Sequence, residues 1–328
     1  MTKTTIADSK TFGDWANLAL NKHFQKTIKH ESDVLKDKDP EALHQMRVGM
    51  RRLRTAVTGF APAISLPKAA QEKKIAKIAR RLGELRDLDV LQDTLKNQYF
   101  PALPKQEQDA LKKVLATLEK RRQKTLEQVQ KTLKNHSYEK LKQAFDDWLK
   151  QPTYGEFAEI SIYDILPDLL LPLVGQFLLH PAWLVGVKLE AGEINFPSSL
   201  TSDQVVQLLN KHGDVVHSLR KQAKRVRYQM ELFTDFYGSS YEEHLKNIKD
   251  IQSILGEIQD NFVLAEFLTK TLDSEITNQL PTFATQLTEA RYQAWQTWQP
   301  LQQQYLNGQT RKNLHQTVLQ PVSDDYKL

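Results

Sequence analysis

Apolar residues recur every three to four positions along most of this chain, and that spacing predicts long amphipathic helices. In the first half the expected helices cover about Thr11–Lys36, Pro40–Pro62, Lys68–Gln98 and Glu107–Lys150. Pro40 suits a first helical turn, while "SLPKAA" and the two prolines of "YFPALPKQ" separate neighbouring helices. The stretch "QPTYGEF" (Gln151–Phe157) has the proline and glycine of a linker. The second half follows the same plan, with helices over Ile162–Leu179, Thr201–Tyr237, Ser239–Leu272 and Pro281–Asn307. Thr201 or Ser202 is the expected N-cap of its helix. His180–Leu200 reads as a loop with a short extended segment, and the polar tail from Gly308 onward as loosely ordered. The fold class is therefore all-α: two four-helix bundles of long antiparallel helices over 11–150 and 158–308, then a tail over 309–328.

Two stretches read almost alike: "HQMRVGMRRLRTAVTGF" from His44 and "HSLRKQAKRVRYQMELF" from His217. A shift of 173 residues carries His44 onto His217, Arg47 onto Arg220 and Arg51 onto Lys224. It also carries Arg52 onto Arg225, Arg54 onto Arg227 and Phe60 onto Phe233. The same shift places "LGELRD" (Leu82–Asp87) on "LGEIQD" (Leu255–Asp260). Two separate motifs sharing one offset read as an internal duplication rather than as chance likeness of basic helices.

On a helical projection, Leu43, Met46, Met50, Leu53, Val57 and Phe60 share one face. His44, Arg47, Arg51 and Arg54 share another, and Arg52 flanks them. The second copy divides the same way, with His217, Arg220, Lys221, Lys224, Arg227 and Tyr228 on the polar face and Arg225 beside it. Solvated helix faces usually mix both signs at three- and four-residue spacing. Here no acid stands between Arg47 and Arg54 or between Arg220 and Arg227. Like charges at that spacing repel, so two such stripes point to an anionic ligand. Arginine's fork matches phosphate oxygens, lysine adds a point charge, and histidine becomes cationic beside a polyanion.

In the second motif, glycine inside a helix costs about 1 kcal/mol relative to alanine, and Gly83 and Gly256 are read as permitting close helix–helix approach. Asp87 and Asp260 are candidates to accept a hydrogen bond from a basic residue of the neighbouring helix. Lys73, Lys77 and Arg80, with Lys246 and Lys249 in the other half, would extend the basic surface.

Composition narrows the partners. The 328 residues carry a net charge of +5, with a sequence pI near 9.0, which favours polyanions. Cysteine is absent, which excludes disulfides and thiolate chemistry and fits a reducing compartment. "MTKTTIADSK" lacks the apolar core of a signal peptide, so the expected location is cytoplasmic. Ile165–Val187 is long enough to span a membrane, but it holds Asp168, His180 and three prolines. It is read as a buried helix broken near Pro181, with no membrane partner.

The paired motifs resemble those of the CHAD domain, the conserved histidine α-helical domain, over roughly residues 11–308. That family has an H-x-x-R-x-x-x-[RK]-[RK]-x-R helix twice, each followed by an L-G-x-x-x-D helix. Here these stand as His44/Arg47/Arg51/Arg52/Arg54 with Leu82/Gly83/Asp87, and His217/Arg220/Lys224/Arg225/Arg227 with Leu255/Gly256/Asp260. The resemblance implies two bundles about a pseudo-twofold axis, basic helices lining a groove or pore, and binding of inorganic polyphosphate, often at granules. CHAD units also occur fused to a CYTH-type triphosphatase whose E-x-E-x-K signature this sequence lacks, so a stand-alone, non-enzymatic binding protein is expected. No cofactor, metal or catalytic residue is expected, and the oligomeric state is not readable. His180–Leu200 has no similar counterpart in the first half.

Two other classes compete. A phosphohydrolase acting on polyphosphate or triphosphate would want clustered carboxylates for a divalent metal, or a glycine-rich phosphate loop. Acids are sparse near the stripes and no such loop is present. A nucleic-acid-binding module would want stacking aromatics, and the stripes offer only Tyr228.

Overall fold

The computed structural model describes residues 11–197 and 199–322. The N-terminal segment on which the expectation of no signal peptide rests lies outside the described residues.

The helices in order are α1 (Phe12–Ile28), α2 (Glu31–Lys36), α3 (Pro40–Gly59), α4 (Glu72–Asp93), α5 (Lys105–Leu133) and α6 (His136–Lys150). After them come α7 (Ile162–Leu178), α8 (Ser202–Leu232), α9 (Ser239–Leu272), α10 (Ile276–Gln279), α11 (Pro281–Leu306) and α12 (Gly308–Leu319). The strands β1 (Lys188–Glu190) and β2 (Glu193–Asn195) form an antiparallel hairpin between α7 and α8. The fold is all-α, as the periodicity predicts, with this hairpin inside the expected loop.

Local chemistry sets the helix boundaries. Asp39 caps α3 by accepting from the Glu41 N–H at 2.8 Å. Thr201 caps α8 in a reciprocal capping box with Gln204, at 3.3 and 2.9 Å. Two expected helices are each divided in two. Thr11–Lys36 breaks at Lys29–His30, and α2 ends at Asp37 with φ 48°, a left-handed stop. Glu107–Lys150 breaks at Asn135, whose side chain accepts from the Ser137 N–H at 2.8 Å and starts α6. The apolar period runs through both breaks, which is why it hid them.

The chain forms two compact units. The first comprises the residues up to Gln98 together with Leu115–Ile165. Its core joins Phe12, Leu20 and Phe24 of α1 to Met46, Met50 and Leu53 of α3 and to Leu141, Phe145 and Trp148 of α6. The Phe24 and Phe145 rings stack at 5.2 Å. A methyl group on Gly49 would lie 2.8 Å from Thr27 Oγ1 and 3.0 Å from the Thr27 backbone, so α1 and α3 approach closely because Gly49 has no side chain. A partly buried ion network ties α5 to α4 and to the residue that ends α2. Arg122 of α5 donates to both carboxylate oxygens of Asp37 at 2.8 Å and to Asp89 of α4 at 2.7 Å. Burial raises the Asp89 carboxyl above its usual range, against the opposing effect of Arg122.

The second unit comprises Tyr99–Val114 and the residues from Leu166 onward. The expected halves 11–150 and 158–308 thus differ from the compact units over 158–165, which belongs to the first, and over Tyr99–Val114, which belongs to the second. Two contacts fix that stretch: the buried Glu107 carboxylate accepts from the Thr282 and Phe283 N–H groups at 3.0 and 3.1 Å, and the Tyr99 ring meets Phe283 at 4.3 Å. The carboxylate thereby satisfies two otherwise unpaired donors at the start of α11. The core of the unit packs Leu219, Val226 and Met230 of α8 with Ile248, Ile251 and Leu255 of α9 and Leu287, Trp295 and Trp298 of α11. Of the expected loose tail, the part through Leu319 is instead α12, and residues 323–328 lie outside the described residues. Leu314 and Val318, one turn apart, are buried, and Tyr237 donates to the Val318 carbonyl at 3.1 Å.

Ile162–Leu184 is long and apolar enough for a membrane span by length and composition. Its α-helix stops at Leu178, and Pro181 opens a short 3-10 turn. One side of α7 (Ile162, Leu166, Leu170, Val174 and Phe177) is fully buried.

Two glycines with opposite surroundings test this packing. Gly49→Ala should destabilise the chain by about 1–3 kcal/mol through overpacking. Gly213→Ala in α8, where an added methyl group meets nothing within 4 Å, should stabilise it by up to about 1 kcal/mol through helix propensity. Urea denaturation followed by circular dichroism reads both.

Candidate anion-binding site

α3 buries Leu43, Met46, Met50, Leu53 and Val57 and turns its basic face outward. His44, Arg47 and Arg51 are half-buried, whereas Arg52 and Arg54 are exposed. On α8, His217, Arg220, Lys224, Arg227 and Tyr228 are half-buried, and Lys221 and Arg225 exposed. Each unit thus carries one stripe.

One contact occurs in both units at the 173-residue offset. Arg47 Nη2 lies 3.9 Å from Asp87 Oδ1, and Arg220 Nη2 lies 3.8 Å from Asp260 Oδ1. Both carboxylates are 75% exposed. At these separations the two arginine–aspartate contacts are ion pairs rather than hydrogen bonds.

The role read for the motif glycines is corrected too. A methyl group on Gly83 would lie 3.6 Å from Arg47 Nε, and one on Gly256 would lie 3.1 Å from Arg220 Nε. The neighbour above each glycine is therefore an arginine side chain. The glycine lets the guanidinium lie across the helix next to the aspartate one turn on. The close helix–helix approach in the first unit falls at Gly49.

Acids nonetheless reach the ends of both stripes, across two helices in the first unit and one turn along α8 in the second. Arg54 Nε donates to Glu72 Oε1 of α4. Arg227 Nε donates to Glu231 Oε1 at 2.7 Å, and its Nη1 to Gln252 at 3.2 Å. The last arginine of each stripe is therefore tied to a carboxylate. The cations of Lys224 and Arg227 lie 6.0 and 5.4 Å from the Tyr228 ring centre. Lys73, Lys77 and Arg80 lie exposed on the face of α4 that carries Asp87, and Lys246 and Lys249 on the face of α9 that carries Asp260.

Both histidines are held below their ordinary pKa. For His44 the main cause is burial, followed by the charge of Arg86, with Glu41 opposing. For His217 it is burial, then Lys221 and Arg220, with Asp214 and Asp260 opposing. Both imidazoles are consequently neutral near pH 7, and a neighbouring anion would favour their charged form.

Sequence reasoning missed Arg86, a half-buried residue of α4 within electrostatic reach of both His44 and Asp89. The 173-residue shift carries it onto Gln259, so a search for repeated cations passes over it. Also missed is a cleft of about 750 Å³ in the first unit, lined by Gln25, Lys26, Ile28, Lys29, His30 and Gln45. It opens at the break between α1 and α2, which the apolar period does not register. Among the described residues no group of three or more His, Cys, Asp or Glu side chains is placed to hold a metal ion.

An all-α chain with a glycine-backed arginine–aspartate pair beside a histidine-led basic helix, once in each unit, defines the class. The chain belongs to the CHAD domain family, whose model matches residues 18–269. It is similar in fold to the CHAD domain of the plant Ricinus communis, with a TM-score of 0.58 and 22% identity over 94% of this chain and 92% of that one. It is similar also to PptA from Streptomyces chartreusis, with a TM-score of 0.55 and 13% identity over 88% of this chain and 100% of that one. Among curated proteins it is 23% identical over 230 residues to uncharacterised proteins from two strains of Mycobacterium tuberculosis. The match takes in 70% of this chain but 40% of the length of those relatives.

The histidine environment has a direct spectroscopic test. In an NMR titration both the His44 and His217 rings should show midpoints below the ordinary value near 6.5. Arg86→Gln should move the His44 midpoint upward and leave that of His217 unchanged. Equal shifts in both would contradict the assignment of Arg86.

Proposed function

We propose that this chain binds inorganic polyphosphate through the basic stripes of α3 and α8. The observation that carries the reading is the recurrence, in each unit, of half-buried arginines and a neutral histidine on one outward face, with the adjoining acids already paired to arginines. A phosphate chain offers forked arginines a run of oxygens, and successive phosphates arrive at high effective concentration once one is held. His44, Arg47, Arg51, Arg52 and Arg86 would serve in the first unit. His217, Arg220, Lys221, Lys224 and Arg225 would serve in the second, with Arg54, Arg227 and Tyr228 at the stripe ends. Lys73, Lys77, Arg80, Lys246 and Lys249 would collect charge at the margins. Asp87 and Asp260 would hold the first arginine of each stripe in position.

Binding without turnover is part of the proposal, as is a cytoplasmic setting at polyphosphate granules. Nucleic acid is the less favoured polyanion, since Tyr228 is the single aromatic on either basic face and single-strand binders stack bases on several. The curated relatives extend well beyond the matched region, so the proposal concerns this chain alone.

Calorimetric titration with long-chain polyphosphate tests the reading. By analogy with counterion release from nucleic acids, affinity should fall at least tenfold between about 50 and 200 mM salt. Arg51→Glu combined with Lys224→Glu should weaken binding about a hundredfold or more at low salt. Affinity should also rise as the pH falls from about 7.5 to 6, because the bound anion raises histidine pKa values that burial lowers in the free chain. Binding that ignores salt and both charge reversals would refute the proposal, and phosphate release in the presence of Mg²⁺ would replace it with hydrolysis.

A further inference from the structure

The segment between α7 and α8 has a rigid base and an exposed tip. At the base, Trp183 stacks on Trp298 and Tyr305, with ring centres 5.0 and 5.7 Å apart. The buried Gln302 amide donates to the Trp183 and Val185 carbonyls at 2.6 and 2.9 Å. Gly186, at φ 77°, lies so close to Trp295 and Leu208 that a methyl group would meet them at 2.9 and 3.0 Å. From this base the β1–β2 hairpin projects with all six strand residues exposed.

Taken alone, the hairpin is costly to hold. A two-stranded ribbon is marginal in water. Its turn places Ala191 at φ 53° beside Gly192 at φ 85°, so a residue with a Cβ occupies left-handed space. Glu190 faces Glu193 across the strands, a like-charge pair that opposes the pairing. Leu189 and Ile194 face each other as well, and Leu189 is 60% exposed. Among the described residues neither Lys188 nor Glu190 has an ion-pair partner within 4.0 Å.

The free edge of β1 fits a second copy of itself. Across a two-residue turn, Glu190 and Glu193 form the hydrogen-bonded pair, and bonding alternates along the ribbon. The Leu189 N–H and C=O therefore point outward, along the open edge. β1 reads Lys188–Leu189–Glu190. Antiparallel pairing about Leu189 sets Lys188 opposite Glu190 of the second copy, and Glu190 opposite its Lys188. It sets Leu189 against Leu189 and joins Leu189 and Ile194 of both copies into one apolar strip. β2, reading Glu193–Ile194–Asn195, has no such self-complementarity.

We infer that β1 is a self-association edge, through which two copies of this chain form an isologous dimer with a four-stranded sheet at its centre. Such pairing hydrogen-bonds an edge otherwise left open, covers Leu189 and gives Glu190 an opposite charge. The contact is small, so the dimer is weak and forms with rising concentration.

Sedimentation equilibrium on the full chain, loaded from about 10 µM to 1 mM, tests the inference independently of any ligand. Wild type should pass from monomer toward dimer. Lys188→Glu leaves acids at both ends of β1 and Glu190→Lys leaves bases at both ends. Each alone should weaken association about tenfold or more, with an unchanged circular dichroism spectrum. An equimolar mixture of the two variants should associate again, because acids then face lysines. The inference fails if wild type stays monomeric throughout. It also fails if either variant associates as wild type does, or if the mixture does not recover.

Discussion

Arg47, Arg51 and Arg54 stand three and four residues apart on one face of α3, and nothing in that helix offsets their repulsion. α8 carries the same run in Arg220, Lys224 and Arg227, with Glu231 one turn beyond. Each unit answers the repulsion from neighbouring turns. A glycine of the following helix makes room for the first arginine, and an aspartate one turn on receives it at 3.8 to 3.9 Å. The last arginine is tied to a glutamate, from α4 in one unit and from α8 itself in the other. Different partners at the stripe ends and the same partner at its start distinguish the two roles. The glycine–arginine–aspartate arrangement belongs to the motif, while the terminal pair is whatever acid lies near.

That economy explains a modest net charge of +5 in a chain read as holding a polyanion. Two basic stripes need no excess of cations spread over the chain. Acids gather with cations elsewhere or at stripe ends, as Glu72 and Glu231 do with Arg54 and Arg227. Arg122, bonded to Asp37 and Asp89, shows the opposite use of the same residue type: a guanidinium consumed by structure. Exposure and partners, not residue type, separate a structural arginine from one available to a ligand.

Sequence reading reached the elements that rest on periodicity and short-range chemistry. α9 begins and ends where the pattern sets it, Pro40 opens α3, and Thr201 caps α8. Both stripes were legible because their residues share one helix face. The rest depended on partners distant in sequence. Gly83 signals an anomaly within its own helix, but its neighbour, Arg47, comes from another. Arg86 was hidden because repetition served as the signal and its counterpart is Gln259. The final helix was lost for another reason: α12 buries only Leu314 and Val318, and two apolar residues in a polar stretch lie below what a period can register.

Tyr99–Val114 shows where contiguity misleads. The prolines at 101 and 104 mark a break, and a break invites a boundary between neighbours in one bundle. The residue that decides its placement is Glu107, which reads in sequence as an ordinary acid of a charged helix. Its carboxylate is buried, and burial without a partner would cost several kcal/mol. Two backbone N–H groups at the start of α11, more than 170 residues away in sequence, remove that cost and thereby fix the segment in the second unit. A single desolvated charge with its donors in place outweighs chain proximity, because the penalty for misplacing it exceeds what local helix preferences can supply.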